Sequence, residues 1–120
     1  MSKKITGSAT INLDGDELKT EDGATLNPGG ANRTAKTGGR KVHGFQEEMV
    51  EPSLECTVMH TKDTSLRELS DITGATVFFE TDTGREYVLR DAWVSEPAVL
   101  NAKEGTVPLK FGAVACEEIG

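Results

Sequence analysis

The feature that most limits how this chain can fold is a stretch of eighteen residues, GATLNPGGANRTAKTGGR at Gly23–Arg40, that cannot build a core. Five of the eighteen residues are glycine, and Leu26 is the only large aliphatic side chain among them. Arg33, Lys36 and Arg40 are basic, and the stretch has no acidic residue. A structureless loop of this length is uncommon inside a compact domain, so the stretch is either disordered or acts outside its own domain.

Chain length and charge indicate one domain with an acidic body. The 120 residues suffice for a single domain at 1–120, with a flexible loop at about 20–43. The glycine-rich stretch carries +3 of a net charge of −7, so the remainder carries −10 and is poorly suited to bind DNA phosphates. The sequence has no apolar run of membrane-spanning length and no visible Sec-type signal. We therefore expect no direct membrane binding and a reducing cytoplasm, unless the protein is exported inside something larger.

Alternation of apolar and polar residues predicts several strands. Ile5–Leu13 and Thr106–Cys116 place apolar side chains at every second position, as in a strand with one buried face. Ala75–Thr81 is rich in strand-forming residues and is followed by turn residues. Glu86–Ser95 has apolar residues on both faces, so we expect this strand at the centre of the packing.

The segment Glu47–Met59 (EEMVEPSLECTVM) is predicted as a further strand. If it is one strand, one face is mostly apolar and the other carries Glu47, Glu51 and Glu55. Pro52 lacks an N–H donor and belongs at an edge, a bulge or a strand start. A break at Pro52 would change which side chains share a face.

One short helix is predicted at Thr64–Ile72. Ser65 and Glu68 have the spacing of a capping box. The apolar residues of its packed face are Leu66, Leu69 and Ile72. A run of strands around one helix predicts a mainly β fold, namely a small antiparallel β-sandwich or barrel with one short α-helix and a long glycine-rich loop.

The sequence has no pattern that indicates catalysis, a cofactor or a metal site. His43 and His60 lie in no HExxH motif and beside no cysteine at zinc-ligand spacing. TGGRKVHG lacks the ending of a phosphate-binding Walker A loop, and no GxSxG motif occurs. Cys56 and Cys116 form no CxxC pair, so we expect two free thiols. We therefore expect a protein that is not an enzyme.

The order of elements resembles that of one known family. A strand is followed by the glycine-rich loop, a strand, a short helix and three strands, and Val88–Ala113 reads VLRDAWVSEPAVLNAKEGTVPLKFGA. Over nearly the whole chain these features resemble the tail tube proteins of Mu-like contractile-tailed phages. That family is similar to the tube proteins of type VI secretion systems and of phage-derived bacteriocins.

The resemblance implies a structural virion protein that assembles with itself. It implies hexameric rings that stack into the inner tube of a contractile tail, through which DNA is ejected without specific binding. The implied partners are further copies of the chain, the tail sheath protein, the tape measure, and the baseplate and tail terminator proteins. The implied location is the virion tail, assembled in the host bacterial cytoplasm.

The same resemblance implies that the glycine-rich loop contacts a neighbouring ring. Doubled back as a hairpin, the stretch would reach about 30 Å. Its three positive charges would meet rings whose remaining residues are acidic. The alternative is a solvated loop without a partner. The candidate residues of the inter-ring assembly loop are Leu26, Asn27, Pro28, Gly29, Gly30, Arg33, Lys36, Gly38, Gly39 and Arg40.

Two further sets of residues are candidates for the tube wall and the subunit contacts. An acidic wall would let DNA slide past, whereas a phosphate-binding wall would retain it. The candidate lumen-facing residues are Glu47, Glu51, Glu55 and Lys110, although a solvated outer sheet face explains the carboxylates equally well. Free strand edges invite pairing between chains. The candidate inter-subunit edge residues, in the first and last predicted strands, are Ile5, Ile11, Val107, Leu109 and Phe111.

Two other functions stay open at the level of sequence. A tube protein of a phage-derived bacteriocin or a type VI-like secretion system would share the fold. A monomeric β-sandwich that binds a ligand would belong to a different functional class. Ligand sites are usually rich in aromatic side chains, and the single Trp and single Tyr of this chain disfavour that class.

Overall fold

Strands dominate the computed structural model, which describes residues 3–119, and the prediction of a mainly β fold is confirmed. The elements are β1 (Ala9–Leu13), β2 (Asp16–Leu18), β3 (Thr25–Asn27), β4 (Gly30–Gly38), β5 (Lys41–Val50), β6 (Ser53–Met59), α1 (Leu66–Ser70), β7 (Ala75–Thr81), β8 (Glu86–Val94), β9 (Thr106–Gly112) and β10 (Ala115–Ile119). All strand pairs are antiparallel.

Two antiparallel sheets share the long strand β8 and form a sandwich. The first sheet has the order β2-β1-β7-β8-β10, and the second has the order β8-β9-β6-β3. Strand β8 pairs with β10 up to Arg90 and with β9 at Trp93 and Val94. Between these two regions lies Asp91, whose φ of 50° marks an irregularity in the strand. A strand that bends at such a point can pass from one sheet to the other.

The sheets are also joined on the side away from β8. The chain that leaves β2 runs alongside β6, where Glu21 N–H donates to the Thr57 carbonyl at 2.9 Å. Met59 N–H donates to the Lys19 carbonyl at 2.8 Å. The predicted sandwich is therefore confirmed, with the two sheets linked along both sides but without a closed barrel.

The core lies between the sheets and is built by alternate residues of each strand. Ile11 in the first sheet and Leu54 and Phe111 in the second are fully buried. In β6, Leu54, Cys56 and Val58 point inward, as the alternation in the sequence predicts. Burial of such side chains supplies the main stabilisation of the fold.

Gly112 marks the closest approach within the core. A Cβ atom at this position would lie 2.8 Å from ring carbons of Trp93, its cross-strand partner. The indole therefore occupies the space that any larger residue at position 112 would need. This contact fixes the point where β8 joins β9.

The predicted helix is present but shorter than its sequence pattern. It spans Leu66–Ser70 and is capped by Ser65, whose Oγ accepts from Glu68 N–H at 3.3 Å. Leu69 is buried, and Leu66 and Ile72 are half-buried against the core. The apolar face thus packs as predicted, while the flanking residues lie outside the helix.

Three predicted strands have different bounds in the structure. The first strand begins at Ala9 rather than Ile5, whose side chain lies outside any strand and is 87% exposed. The strand predicted at Thr106–Cys116 ends at Gly112, and the chain then turns to form β10. The single strand predicted at Glu47–Met59 is wrong, because the chain breaks at Pro52 and continues as β6.

Candidate functional site

From Gly30 onward the glycine-rich stretch forms one strand and the turn of a β-hairpin rather than a structureless loop, while Thr25–Asn27, which include the loop candidates Leu26 and Asn27, form β3 beside β6. Strands β4 and β5 pair with each other and with no other strand among the described residues; we call this hairpin, Gly30–Val50, the arm. Gly39 and Arg40 form its two-residue turn with φ of 58° and 66°. Positive φ at both central residues is the pattern of a type I′ turn, which matches the twist of paired strands. The segment predicted as a flexible loop at about 20–43 is thus largely strand, while its flexibility and its role in assembly stay predictions.

The arm projects from the sandwich. All of β5 except Val50 is exposed, and so is all of β4 except Ala31. Strands of this length extend about 30 Å. The Cα radius of gyration is 17.5 Å, compared with about 14 Å for a compact chain of this length. The larger radius of gyration shows that a large part of the chain lies away from the body.

Glycine is required where the arm joins the body. Gly29 has a φ of 81°, a conformation that L-residues rarely adopt. A Cβ atom there would lie 2.9 Å from the Val50 carbonyl oxygen and 3.0 Å from the Pro52 nitrogen. The segments that enter and leave the arm therefore lie close together at its base, where Gly30 pairs with Val50.

One face of the arm is apolar although it is exposed to solvent. Cross-strand partners share a face, and the register pairs Ala31 with Met49, Ala35 with Phe45 and Thr37 with Val42. Met49, Phe45 and Val42 are 83%, 60% and 70% exposed. We call this the apolar face; its side chains are Ala31, Ala35, Val42, Phe45 and Met49.

An ion pair crosses the middle of the apolar face. Arg33 Nε lies 3.1 Å from Glu47 Oε1, and the Arg33 guanidinium carbon lies 5.7 Å from the centre of the Phe45 ring. Exposed pairs of this kind contribute little stability. Their effect is to hold Arg33 along the face and keep the Phe45 ring flanked by charge.

The tip of the arm is positively charged. The segment 34–44 contains Lys36, Arg40 and Lys41 and no acidic residue. His43 is the extra residue of a bulge, because Lys36 pairs with Gly44 and Thr37 with Val42. The tip therefore combines apolar side chains on one face with positive charge in the turn and on the opposite face.

The candidate lumen residues do not share one strand face. Glu47 lies in the arm, opposite Arg33, and Glu51 lies between β5 and β6. Glu55 lies on the outer face of the second sheet, where its Oε1 is 3.8 Å from Lys110 Nζ. Only Glu55 and Lys110 are brought together, and their assignment to a lumen stays a prediction.

The candidate edge strands each have neighbouring strands within the described residues, and their role in contacts between subunits stays a prediction. β1 lies between β2 and β7, and β9 pairs with β6 along its length and with β8 at its end. Their candidate side chains other than Ile5 are core residues, namely Ile11, Val107, Leu109 and Phe111. The alternation of apolar and polar residues indicates that a strand has one buried face. Interior and edge strands can both have such a face, so the alternation does not distinguish between them.

A free edge that sequence reasoning missed is β10. It pairs only with β8 among the described strands. Arg90 Nε and Nη2 donate to the two carboxylate oxygens of Glu117 at 2.9 and 3.1 Å. These bonds and the charge of Arg90 lower the pKa of Glu117. The two carboxylates of β10 are paired with arginines, Glu117 with Arg90 of β8 and Glu118 with Arg85 just before β8.

The comparisons with known proteins identify the family. The family described as "Phage tail tube protein" matches residues 2–118 of this chain. The chain belongs to the phage tail tube protein family. It is 41% identical over 119 residues, or 99% of both chains, to the "Mu-like prophage FluMu tail tube protein" of Haemophilus influenzae. It is 33% identical over 90 residues, or 75% of both chains, to the "Tail tube protein" of Escherichia phage Mu.

Membership confirms the resemblance to Mu-like tail tube proteins. Proteins of this family are structural components of the virion tail and assemble with themselves and with other tail components. The chain is therefore a structural protein and not an enzyme.

The remaining features of the described residues offer no chemical centre. Within residues 3–119, no group of three or more His, Cys, Asp and Glu side chains could hold a metal ion, and no helix could span a membrane. Cys56 and Cys116 are free thiols, as predicted. Burial raises the pKa of Cys56 to about 12, which keeps this thiol protonated and unreactive.

Proposed function

We propose that copies of this chain form hexameric rings that stack into the inner tube of a contractile phage tail, a conduit for DNA ejection. The observation that carries this proposal is the arm, a hairpin that pairs with no other described strand and whose apolar face lies in solvent. An isolated two-stranded hairpin is at best marginally stable in water. A neighbouring subunit would cover the apolar face and order the arm at the same time.

The dimensions of the arm suit a contact between rings. Its length of about 30 Å exceeds what a contact between adjacent flat surfaces requires. Its tip is positive, while the rest of the chain is acidic, so arm and neighbour attract each other. In this proposal the arm carries the inter-ring contact that the sequence resemblance implies.

Within a ring, the free edge of β10 is our candidate for pairing between subunits, in place of β1 and β9. An unpaired edge exposes N–H and C=O groups that a strand of a neighbour can bond, and a closed ring removes such edges. Glu55 and Lys110 are retained as lumen candidates, because a paired carboxylate and ammonium give DNA phosphates little to bind. The sheath, tape measure, baseplate and terminator proteins are the proposed partners outside and at the ends of the tube, with assembly in the host cytoplasm.

Negative-stain electron microscopy of the purified protein over a concentration series tests the proposal. The expected images show rings and hollow tubes that lengthen with concentration. Small particles at every concentration would contradict self-assembly of the chain.

The matched variant removes the arm at its base. Gly30 and Val50 are cross-strand partners, so Ala31–Met49 can be replaced by an Asn-Gly turn without moving the body. We expect a folded monomer that forms no long tubes. Normal tubes from this variant would show that the arm is dispensable for stacking.

A further inference from the structure

A second surface of the body has the properties needed to receive the arm. A groove of about 360 Å³ lies between β2, the end of β6 and helix α1. Its floor is apolar, and one of its side chains, Met59, is 45% exposed. The apolar residues that line it are Leu13, Leu18, Val58, Met59 and Leu69.

The rim of this groove is strongly acidic. Four carboxylates and one ammonium line it, for a net charge of −3: Asp16, Glu17, Asp63, Glu68 and Lys19. A second groove of the same volume lies on the outer face of the second sheet, and its charged residues are Glu55, Glu96 and Lys110. That groove carries a net charge of only −1, and its Lys110 already pairs with Glu55.

The tip of the arm is complementary to the groove beside α1. It has Val42 and Phe45 on one face, Arg40 in the turn, and Lys36 and Lys41 on the opposite face of the same end of the hairpin. We infer that this groove receives the arm tip of another copy of the chain, with Phe45 or Val42 on the apolar floor and the basic residues at the acidic rim. The inference rests on the proposed function, since it names the surface on which the arm docks.

The positions of arm and groove favour a contact between two copies. The arm leaves the body at the Ser53 end of β6, whereas the groove lies at Val58 and Met59, the other end. The two ends of β6 are about 20 Å apart. Each copy thus offers an arm at one end and a groove at the other. Such a head-to-tail contact repeats from copy to copy, as the stacking of rings requires.

Site-specific photo-crosslinking tests the location directly. A benzoylphenylalanine in place of Phe45 should link to residues 13–19 or 58–69 of another copy when tubes form, as read by mass spectrometry. The same group in place of Gln46, on the opposite face of the arm, is the control and should give at least about tenfold less of these products.

The outcomes separate the inference from the function on which it rests. Crosslinks in tubes to the groove that contains Glu55 and Val99 would contradict docking beside α1. They would still support a contact between the arm and another copy. Tubes without any crosslink from position 45 to another copy would overturn the arm contact itself. Absence of rings and tubes from the unmodified protein would contradict the proposed function.

Charge reversal gives a second, independent test. Lys36→Glu, Arg40→Glu and Lys41→Glu together should raise the critical concentration for assembly at least about tenfold. Asp16→Lys, Glu17→Lys and Asp63→Lys together should have the same effect.

Both sets of substitutions in one chain should restore assembly, because an acidic tip then meets a basic rim. Glu96→Lys, at the second groove, is the control and should assemble normally. Circular dichroism checks that every variant is folded. Failure of the combined variant to recover relative to its parents would overturn the pairing of tip and groove.

Discussion

Two phenylalanines on β-strands show how the body and the arm of this protein differ. Phe111 in β9 is fully buried between two sheets, whereas Phe45 in β5 is 60% exposed on a hairpin of only two strands. In β9 apolar residues occupy alternate positions, whereas in β5 the face that carries Phe45 also carries Glu47. The body contains the surfaces that cover its own apolar faces, whereas the apolar face of the arm is exposed among the described residues. In the proposed assembly, another copy of the chain covers it.

The largest effect on the isolated subunit should come from the core. Phe111→Ala removes a fully buried ring and leaves a cavity, so the free energy of unfolding should fall by about 3–5 kcal/mol. Denaturant unfolding followed by circular dichroism measures this loss. A loss below about 1 kcal/mol would mean that the sheets do not depend on each other, and would remove the distinction between body and arm.

A smaller but clear effect should come from overfilling the core. Gly112→Ala places a methyl group where the Trp93 ring already lies, so we expect a loss of about 1–3 kcal/mol in the free energy of unfolding. Gly39→Ala, in the turn of the arm, is a useful comparison because a Cβ atom there meets nothing within 4 Å, although its positive φ adds strain. Denaturation midpoints of the two variants should differ, and equal midpoints would contradict the close packing at Trp93.

The strands and the helix of the body were largely predictable from the sequence, because their side chains pack against and bond to residues of the same chain. The inward side chains of β6 and β9 follow from their alternation, and the cap at Ser65 follows from its spacing to Glu68. The shift of β8 between sheets was not predictable, since it depends on one irregularity at Asp91 that no local pattern marks.

The arm was predictable only in part, for a physical reason. Its small and polar residues predict poor packing within the domain, and the arm is indeed exposed. Poor packing alone, however, suggests a loop, whereas the arm is a hairpin. The signal that would have found it is a two-residue turn at Gly39 and Arg40 between segments of nine and ten residues. The free edge of β10 was missed because its exposed carboxylates, Glu117 among them, resemble a solvated tail.

In the arm, the substitution that removes the same atoms as Phe111→Ala should leave the stability of the monomer almost unchanged. Phe45→Ala should alter the free energy of unfolding by less than about 0.5 kcal/mol, because the ring is exposed in the isolated subunit. Tube formation should be lost or need far higher concentrations, since the ring would be buried only in the assembly. Sedimentation of assembled material measures the second effect. Normal assembly of Phe45→Ala would contradict the contrast between body and arm, because assembly would then not require the apolar face of the arm.

The smallest effect should be a pH dependence that belongs to the edge of the body. Arg90 holds the pKa of Glu117 below its ordinary value of 4.5, so this pair stabilises the fold above that value. The contribution is lost as pH falls through the lower pKa of the folded state. Glu117→Gln should therefore be slightly less stable than the parent protein at pH 7 and equal to it in strong acid. Unfolding curves at a series of pH values test this, and a constant difference at all pH values would contradict it.

Hydrogen–deuterium exchange of the dilute subunit and of assembled tubes tests the dependence of the arm on a neighbour most directly. In the subunit, amides of residues 31–49 should exchange much faster than those of β6 and β9, because they lie on an uncovered hairpin. In tubes, the same amides should become protected, while those of the core change little. An arm as protected as β6 in the isolated subunit would contradict the account, since the hairpin would then be stable without another copy of the chain.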